Sequence, residues 1–107
     1  MASFRAQATT DRKSILSTEL PVVTLYSLPD CVQCNTTKMA LKRLGWEEEE
    51  HYNVVDMSLN EQAADLVREM GYMRAPVVQV THPDGTNVHW GGMNPGKINQ
   101  NIPNRAA

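Results

Sequence analysis

With 107 residues, the chain suffices for one compact domain and is too short for two. Hydrophobic residues at 41% and charged residues at 21% are an ordinary globular balance, and a net charge of −2 gives no basic field for nucleic acid. No apolar run approaches the roughly 20 residues that a membrane-spanning helix needs.

In chain order, residues 1–20 are polar and aperiodic and are expected to form a flexible leader ahead of a domain over 21–107. They carry no apolar signal-peptide core, and Asp11 and Glu19 interrupt a transit-peptide pattern, which sets the expectation of a cytoplasmic protein. Val22–Ser27 is β-branched and aromatic, the composition of a buried strand. Pro29 breaks it. From Val32 the pattern is helical, with Thr37, Ala40, Leu41 and Leu44 on one face and Gly45 as the stop. The acidic run Glu47–Glu50 reads as a solvated strand entry, and His51–Asp56 as a second strand.

Ser58 and Glu61 form a capping-box pattern ahead of Leu59, Ala63, Leu66, Val67 and Met70, so a helix is expected that ends at Gly71. Val77–Thr81 and Thr86–Trp90 are two strands around His82-Pro83-Asp84-Gly85, which has hairpin-turn chemistry. Asn94 and Pro95 suit an N-cap and first turn, opening a last helix to Asn101. The order β-α-β-α-β-β-α implies an α/β fold. A parallel pair is joined through a right-handed crossover and a hairpin adds antiparallel strands, giving a four-stranded mixed sheet flanked by helices.

Both cysteines of the chain, Cys31 and Cys34, lie in one C-x-x-C stretch. Structural zinc generally wants four ligands, and His51, His82 and His89 match no finger spacing. A disulfide across two residues closes almost no loop entropy, so a staple gains little. Redox chemistry has a positive argument. Cys31 follows a strand at the mouth of a helix, where unpaired N–H groups and the dipole favour a thiolate. Lowering its pKa from about 8.5 to about 7 raises the thiolate fraction at pH 7 roughly sixteen-fold. Nucleophilicity falls about fivefold in return, leaving a net gain of about threefold. The larger benefits are a better leaving group and a second thiol held close enough to resolve the mixed disulfide. Cys31 is therefore read as the attacking sulfur and Cys34 as the resolving one. Asp30 opposes the dipole with a neighbouring negative charge.

Pro76 opens a strand, a position where proline is tolerated in any sheet. His89 reads as a surface strand residue, since thiolate exchange needs no base. Trp90 before Gly91-Gly92 fits a partly buried aromatic at a strand end and fits an exposed contact for a protein partner equally well.

The motif Cys31-Val32-Gln33-Cys34 with Thr37-Lys38, then Gly71-Tyr72-Met73-Arg74-Ala75-Pro76-Val77-Val78 and Trp90-Gly91-Gly92, resembles the thioredoxin/glutaredoxin superfamily. Within it the match is to NrdH-redoxins, glutaredoxin-like electron donors of class Ib ribonucleotide reductase. The resemblance covers about residues 22–101 and implies a thioredoxin-like fold, a cis bond at Ala75-Pro76, and no bound cofactor or metal. It also implies a partner-binding surface formed by Arg74, Ala75, Pro76, Trp90, Gly91 and Gly92. The family's usual Trp-Ser-Gly-Phe followed by Arg-Pro is altered, with Gly91, Met93 and Asn94 standing in. Leu28 stands where many relatives have a basic residue.

These features set the expected function: a monomeric dithiol–disulfide oxidoreductase that donates electrons to the ribonucleotide reductase large subunit. Thioredoxin reductase is the expected electron donor to the chain, with neither nucleic acid nor membrane as partner. Glutathione-using glutaredoxins typically carry a Lys at the position of Leu28 and an Asp pair after Gly-Gly, so an anionic tripeptide would lose charge-assisted contacts here. The competing readings are a glutathione-dependent glutaredoxin or a general thioredoxin. From other classes come a redox-sensing regulator with an arsenate-reductase-like fold that binds RNA polymerase, and an iron–sulfur cluster shared by two subunits through Cys31.

Overall fold

Two apolar strands, each flanked by helices, organise the chain; the computed structural model describes residues 20–105. The elements are β1 (Val22–Ser27), α1 (Val32–Arg43), β2 (Asn53–Asp56), α2 (Glu61–Glu69), β3 (Val77–Thr81), β4 (Asn87–Gly91) and α3 (Pro95–Asn101). The sheet runs β2-β1-β3-β4, with β1 parallel to β2 and antiparallel to β3, and β3 antiparallel to β4. This is the expected order and mixed sheet, a thioredoxin-like fold. The leader expected over 1–20 lies, apart from Leu20, outside the described residues.

Alternation along the central strands sorts side chains between two cores, as the period of two in a strand requires. Val23 and Leu25 of β1, Val78 and Val80 of β3 and Trp90 of β4 pack with Leu41 of α1 and Ile98 of α3. Tyr26 and Val77 point the other way, onto Ala63 and Val67 of α2. The sheet is thus covered on both faces, which explains why β1 and β3 read as nearly continuous apolar runs.

Several local expectations shift. The second strand begins at Asn53 rather than His51, because Glu47–His51 is spent on a turn. His51 N–H donates to Glu47 O at 2.9 Å, Glu47 N–H donates to His51 Nδ1 at 2.8 Å, and Glu49 takes a φ of 65°. The acidic run is exposed as expected, but as a turn. The capping box of Ser58 and Glu61 is not formed. Asn60 is the N-cap of α2, its side chain accepting from Ala63 N–H at 3.0 Å. Ser58 instead turns back to Asp56 Oδ1 through its hydroxyl at 2.6 Å and its N–H at 2.9 Å. Leu59 therefore precedes the helix and is 85% exposed. Thr86 belongs to the hairpin turn, donating its N–H to Asp84 Oδ1 at 2.9 Å, so β4 starts one residue late. Asn94 caps α3 as its sequence implies, accepting from Lys97 N–H at 3.1 Å.

The chain after α3 is tied to the end of α1. Trp46 Nε1 donates to Pro103 O at 2.8 Å, and the Arg105 guanidinium lies 5.4 Å from the Trp46 ring. This closes the core beneath α1 and fixes the helix that carries the cysteines.

Tyr52 is buried at the rim of that core. Burial, and then the charges of Glu48, Glu47 and Glu49, push its phenol up to about 12. An unfolded tyrosine titrates near 10, so between about pH 10 and pH 12 the unfolded chain gives up its proton first and stability falls as pH rises. Below that window Tyr52 contributes no pH dependence. Urea midpoints measured across it should fall more steeply for the native chain than for Tyr52→Phe; parallel curves would contradict the assignment.

Candidate active site

β1 ends at Ser27 and delivers the chain to the cysteines through Leu28-Pro29-Asp30. Asp30 takes a φ of 58°, a left-handed conformation that aspartate tolerates better than most residues. The chain reverses there, and Cys31 enters α1 as an extended N-cap residue with φ −107° and ψ 107°. Its Sγ accepts the N–H of Cys34 at 3.1 Å, the position a Ser, Thr, Asp or Asn oxygen fills in most helices. Cys31 and Cys34 form a disulfide, with their Cα atoms 5.2 Å apart.

The two sulfurs are not equivalent. Cys31 is partly exposed, whereas Cys34 is 2% exposed on the buried face of α1 with Thr37 and Leu41. The first turn of α1 contains no acidic residue, so the N-terminal dipole and the Cys34 N–H act on Cys31 Sγ without an opposing charge within the helix. Asp30 stands just outside it and is solvent-exposed, where water and salt weaken its repulsion.

Two loops face the cysteine helix. The Ala75-Pro76 bond is cis, as the resemblance implies, and Pro76 is fully buried. Its carbonyl accepts the N–H of Gly92 at 2.8 Å, tying the segment before β3 to the loop after β4. A groove of about 380 Å³ runs between them, lined by Gln33, Gly71–Ala75, Gly91 and Gly92. Arg74, Ala75, Gly91 and Gly92 are thus brought together, with Pro76 beneath them. A second groove, of about 270 Å³, lies across the Tyr72–Ala75 segment and is lined by Leu28, Met57, Ala64, Val67 and Arg68 as well.

Trp90 is not brought to this surface. Its pairing opposite Val78 turns it into the core under α1 and α3, where it is 4% exposed and its Nε1 has no hydrogen-bond partner. Of its two readings, the structure takes the buried one, and the indole is withdrawn as a contact for a partner. His89 is engaged by Tyr72, with Tyr72 Oη and His89 Nδ1 2.7 Å apart and the rings edge to face. Among the described residues, no group of three or more His, Cys, Asp and Glu is arranged to hold a metal ion.

Sequence reasoning named Gln33 and Tyr72 only as motif residues and missed their contacts. Gln33 Oε1 accepts the N–H of Met93 at 2.9 Å, a link between the cysteine loop and the Gly-Gly loop. Tyr72 fills the space over Gly91, where an added Cβ would stand 3.0 Å from its ring. The available signals were a polar residue placed between the cysteines and an aromatic two residues before Arg74, neither of which specifies a distant partner.

Comparison with known proteins agrees with this geometry. The glutaredoxin family model matches residues 23–82. Glutaredoxin-like protein NrdH of Salmonella typhimurium is 33% identical over 81 residues, which are 76% of this chain and 89% of that one. The structure of Escherichia coli NrdH-redoxin, described as glutaredoxin-like with a thioredoxin-like activity profile, aligns with a TM-score of 0.62 at 31% identity, covering 76% of this chain and 95% of that one. Thioredoxin from Trypanosoma brucei brucei shares the fold, with a TM-score of 0.54 at 21% identity over 81% of this chain and 75% of that one. The chain belongs to the glutaredoxin family, and its cysteine pair makes it a thiol–disulfide oxidoreductase.

The unequal sulfurs give a direct expectation. In the reduced protein, a small alkylating reagent should modify Cys31 at least about tenfold faster than Cys34, because reactivity follows thiolate character and access. Peptide mapping after short exposure checks this, and equal labelling would contradict it.

Proposed function

We propose that this member of the glutaredoxin family is an electron donor to ribonucleotide reductase, recycled by a thioredoxin-reductase-type flavoenzyme and acting as a cytoplasmic monomer. One observation carries the reading. A partly exposed sulfur caps the cysteine helix, with its partner buried one turn behind it and Gln33 between them lining a groove. The similarity to NrdH proteins, one of them described as thioredoxin-like in activity, points to the acceptor and the reductant.

The cycle balances without a cofactor. The Cys31 thiolate attacks one sulfur of the substrate disulfide and displaces the other as a thiolate, leaving a mixed disulfide on Cys31. Cys34, once deprotonated, attacks Cys31 Sγ and expels the second substrate thiolate. Two electrons have passed to the substrate, and the Cys31–Cys34 disulfide remains. The flavoenzyme then returns two electrons drawn from NADPH. The helix N-terminus stabilises Cys31 as the attacking thiolate in the first step and as the leaving thiolate when the reductant resolves its mixed disulfide with Cys31.

Arg74 and Ala75, with Gly91 and Gly92 opposite and Pro76 buried beneath them, are the surface assigned to the incoming partner segment. The groove of about 380 Å³ between them, which Gln33 of the cysteine motif also lines, leaves room for a peptide. Leu28, exposed at the rim, contributes no cation for an anionic tripeptide, and Met93 and Asn94 replace an acidic pair after Gly-Gly. These substitutions favour a protein reductant over glutathione.

Reduction of a disulfide substrate with NADPH and thioredoxin reductase should exceed that with glutathione and its reductase by at least about tenfold, the value of one lost hydrogen bond to a charged group. Faster turnover with glutathione would overturn the choice of reductant. Cys34→Ser should trap a covalent complex with the acceptor and Cys31→Ser should be inert. Residual turnover by Cys31→Ser would overturn the assignment of roles.

A further inference from the structure

The proposed chemistry makes no use of Tyr72 or His89, and the fold joins them. Tyr72 lies beyond the end of α2, packed against the core beneath that helix, and its N–H donates to Val67 O at 3.1 Å. Its ring crosses to β4, an edge strand of the sheet. His89 and Gly91 stand two apart on β4, so they share one face at a separation of roughly 6.6 Å. The tyrosine uses both positions. Its Cδ1 and Cε1 would stand 3.0 and 3.2 Å from a Cβ on Gly91, and its Oη is 2.7 Å from His89 Nδ1. The two rings meet edge to face with centroids 5.5 Å apart. The hydrogen bond closes in either direction: the phenol donates to a bare Nδ1, or Nδ1–H donates to Oη.

Tyr72–Ala75 lines both grooves and forms the ridge between them. One end of the ridge is set by the buried Pro76. In its middle Met73 is 84% exposed and Arg74 is exposed, and neither side chain has a hydrogen bond or ion pair among the described residues. The other end is set by Tyr72, through its contact with Val67 and its tether to His89. The ridge is thus held from its ends. A surface ordered before a partner arrives gives up less entropy on binding than one the partner must order. Without His89, the Tyr72 ring is free to swing off Gly91, and the ridge has to be ordered anew at each encounter.

We infer that His89 is a positioning residue: its hydrogen bond pins the Tyr72 ring over Gly91 and so presets the Tyr72–Ala75 ridge for an incoming protein segment. This deepens the proposed function and rests on its assignment of that surface to a partner. A disulfide carried on a polypeptide gains from the preset ridge. A small disulfide that reaches only Cys31 does not.

The test mixes the reduced chain with increasing insulin, a protein disulfide, and separately with bis(2-hydroxyethyl) disulfide, a small uncharged one. Oxidation of the chain is followed by acid quenching, alkylation and mass measurement, with no reductase present. The readout is the insulin concentration at half-maximal rate, set against the maximal rate. His89→Ala and Tyr72→Phe should each raise that concentration about fivefold and keep the maximal rate, the effect of one hydrogen bond between uncharged groups. The double variant should show no further rise, because both changes remove the same bond. His89→Gln, whose amide can meet the phenol, should recover most of the loss. Oxidation of His89→Ala by the small disulfide should match that of the native chain.

An unchanged half-saturation in His89→Ala would overturn the inference, as would a lowered maximal rate in place of a raised half-saturation. So would additive losses in the double variant, an equal loss with the small disulfide, or a His89→Gln variant no better than His89→Ala. Arg74→Ala separates this inference from the reading beneath it. A raised half-saturation there, with His89→Ala and Tyr72→Phe indifferent, removes the role of His89 and keeps the surface. Indifference of all three removes the surface assignment as well. Insulin stands in for a partner, so the result does not depend on which acceptor or reductase the chain serves.

Discussion

One hydrogen bond sets the chemistry of this protein: the Cys34 N–H points at Cys31 Sγ, so a sulfur stands where helices usually place an oxygen. The donor is part of the backbone and belongs to the residue that will later attack. A negative charge on Cys31 strengthens the same contact, because charge-assisted hydrogen bonds are roughly twice as strong as neutral ones. The rest of the structure serves that geometry. Asp30 reverses the chain in front of the helix, β1 anchors the turn from the middle of the sheet, and Leu41 holds α1 onto the core. The strap from Trp46 to Pro103 and Arg105 closes its far end.

A second layer of order comes from contacts between segments distant in sequence. Pro76 O to Gly92 N–H and Gln33 Oε1 to Met93 N–H tie the segment before β3 and the first turn of α1 to the loop after β4. Each such bond contributes only about 1 kcal/mol net, so their value lies in position more than in strength. They are spaced to leave a groove lined by Gln33 from the cysteine motif, and of the two sulfurs one is partly exposed while the other stays in the core. Exposure of one sulfur and burial of its partner is what gives the two cysteines different tasks. The chain is a member of the glutaredoxin family in which that division is written into a single helical turn.

Much of this was legible in the residues. The β-branched runs at Val22 and Val77 declared the central strands, because a strand covered on both faces must be apolar throughout. Gly45 and Gly71 marked helix ends, and both adopt positive φ. Asn94-Pro95 announced its helix through capping chemistry that acts within four residues. Where the reading failed, a competing local bond won. Ser58 had a better acceptor in Asp56 than a place at the cap, and Asn60 took the cap instead. His51 was drawn into a turn with Glu47. Trp90 could not be placed because its face depends on the register of β4 against β3. The contacts of Gln33 and Tyr72 were invisible for a related reason: their partners lie 60 and 17 positions away, and no local pattern encodes a contact that the fold creates.

The most direct test of the account is the titration of Cys31 in reduced Cys34→Ser, followed by ultraviolet thiolate absorbance, since that variant keeps the backbone donor and leaves one sulfur to ionise. The account predicts a pKa clearly below the ordinary cysteine value of about 8.5. A value at or above it would mean that the N–H and the helix start do not stabilise the anion, and the central claim would be wrong.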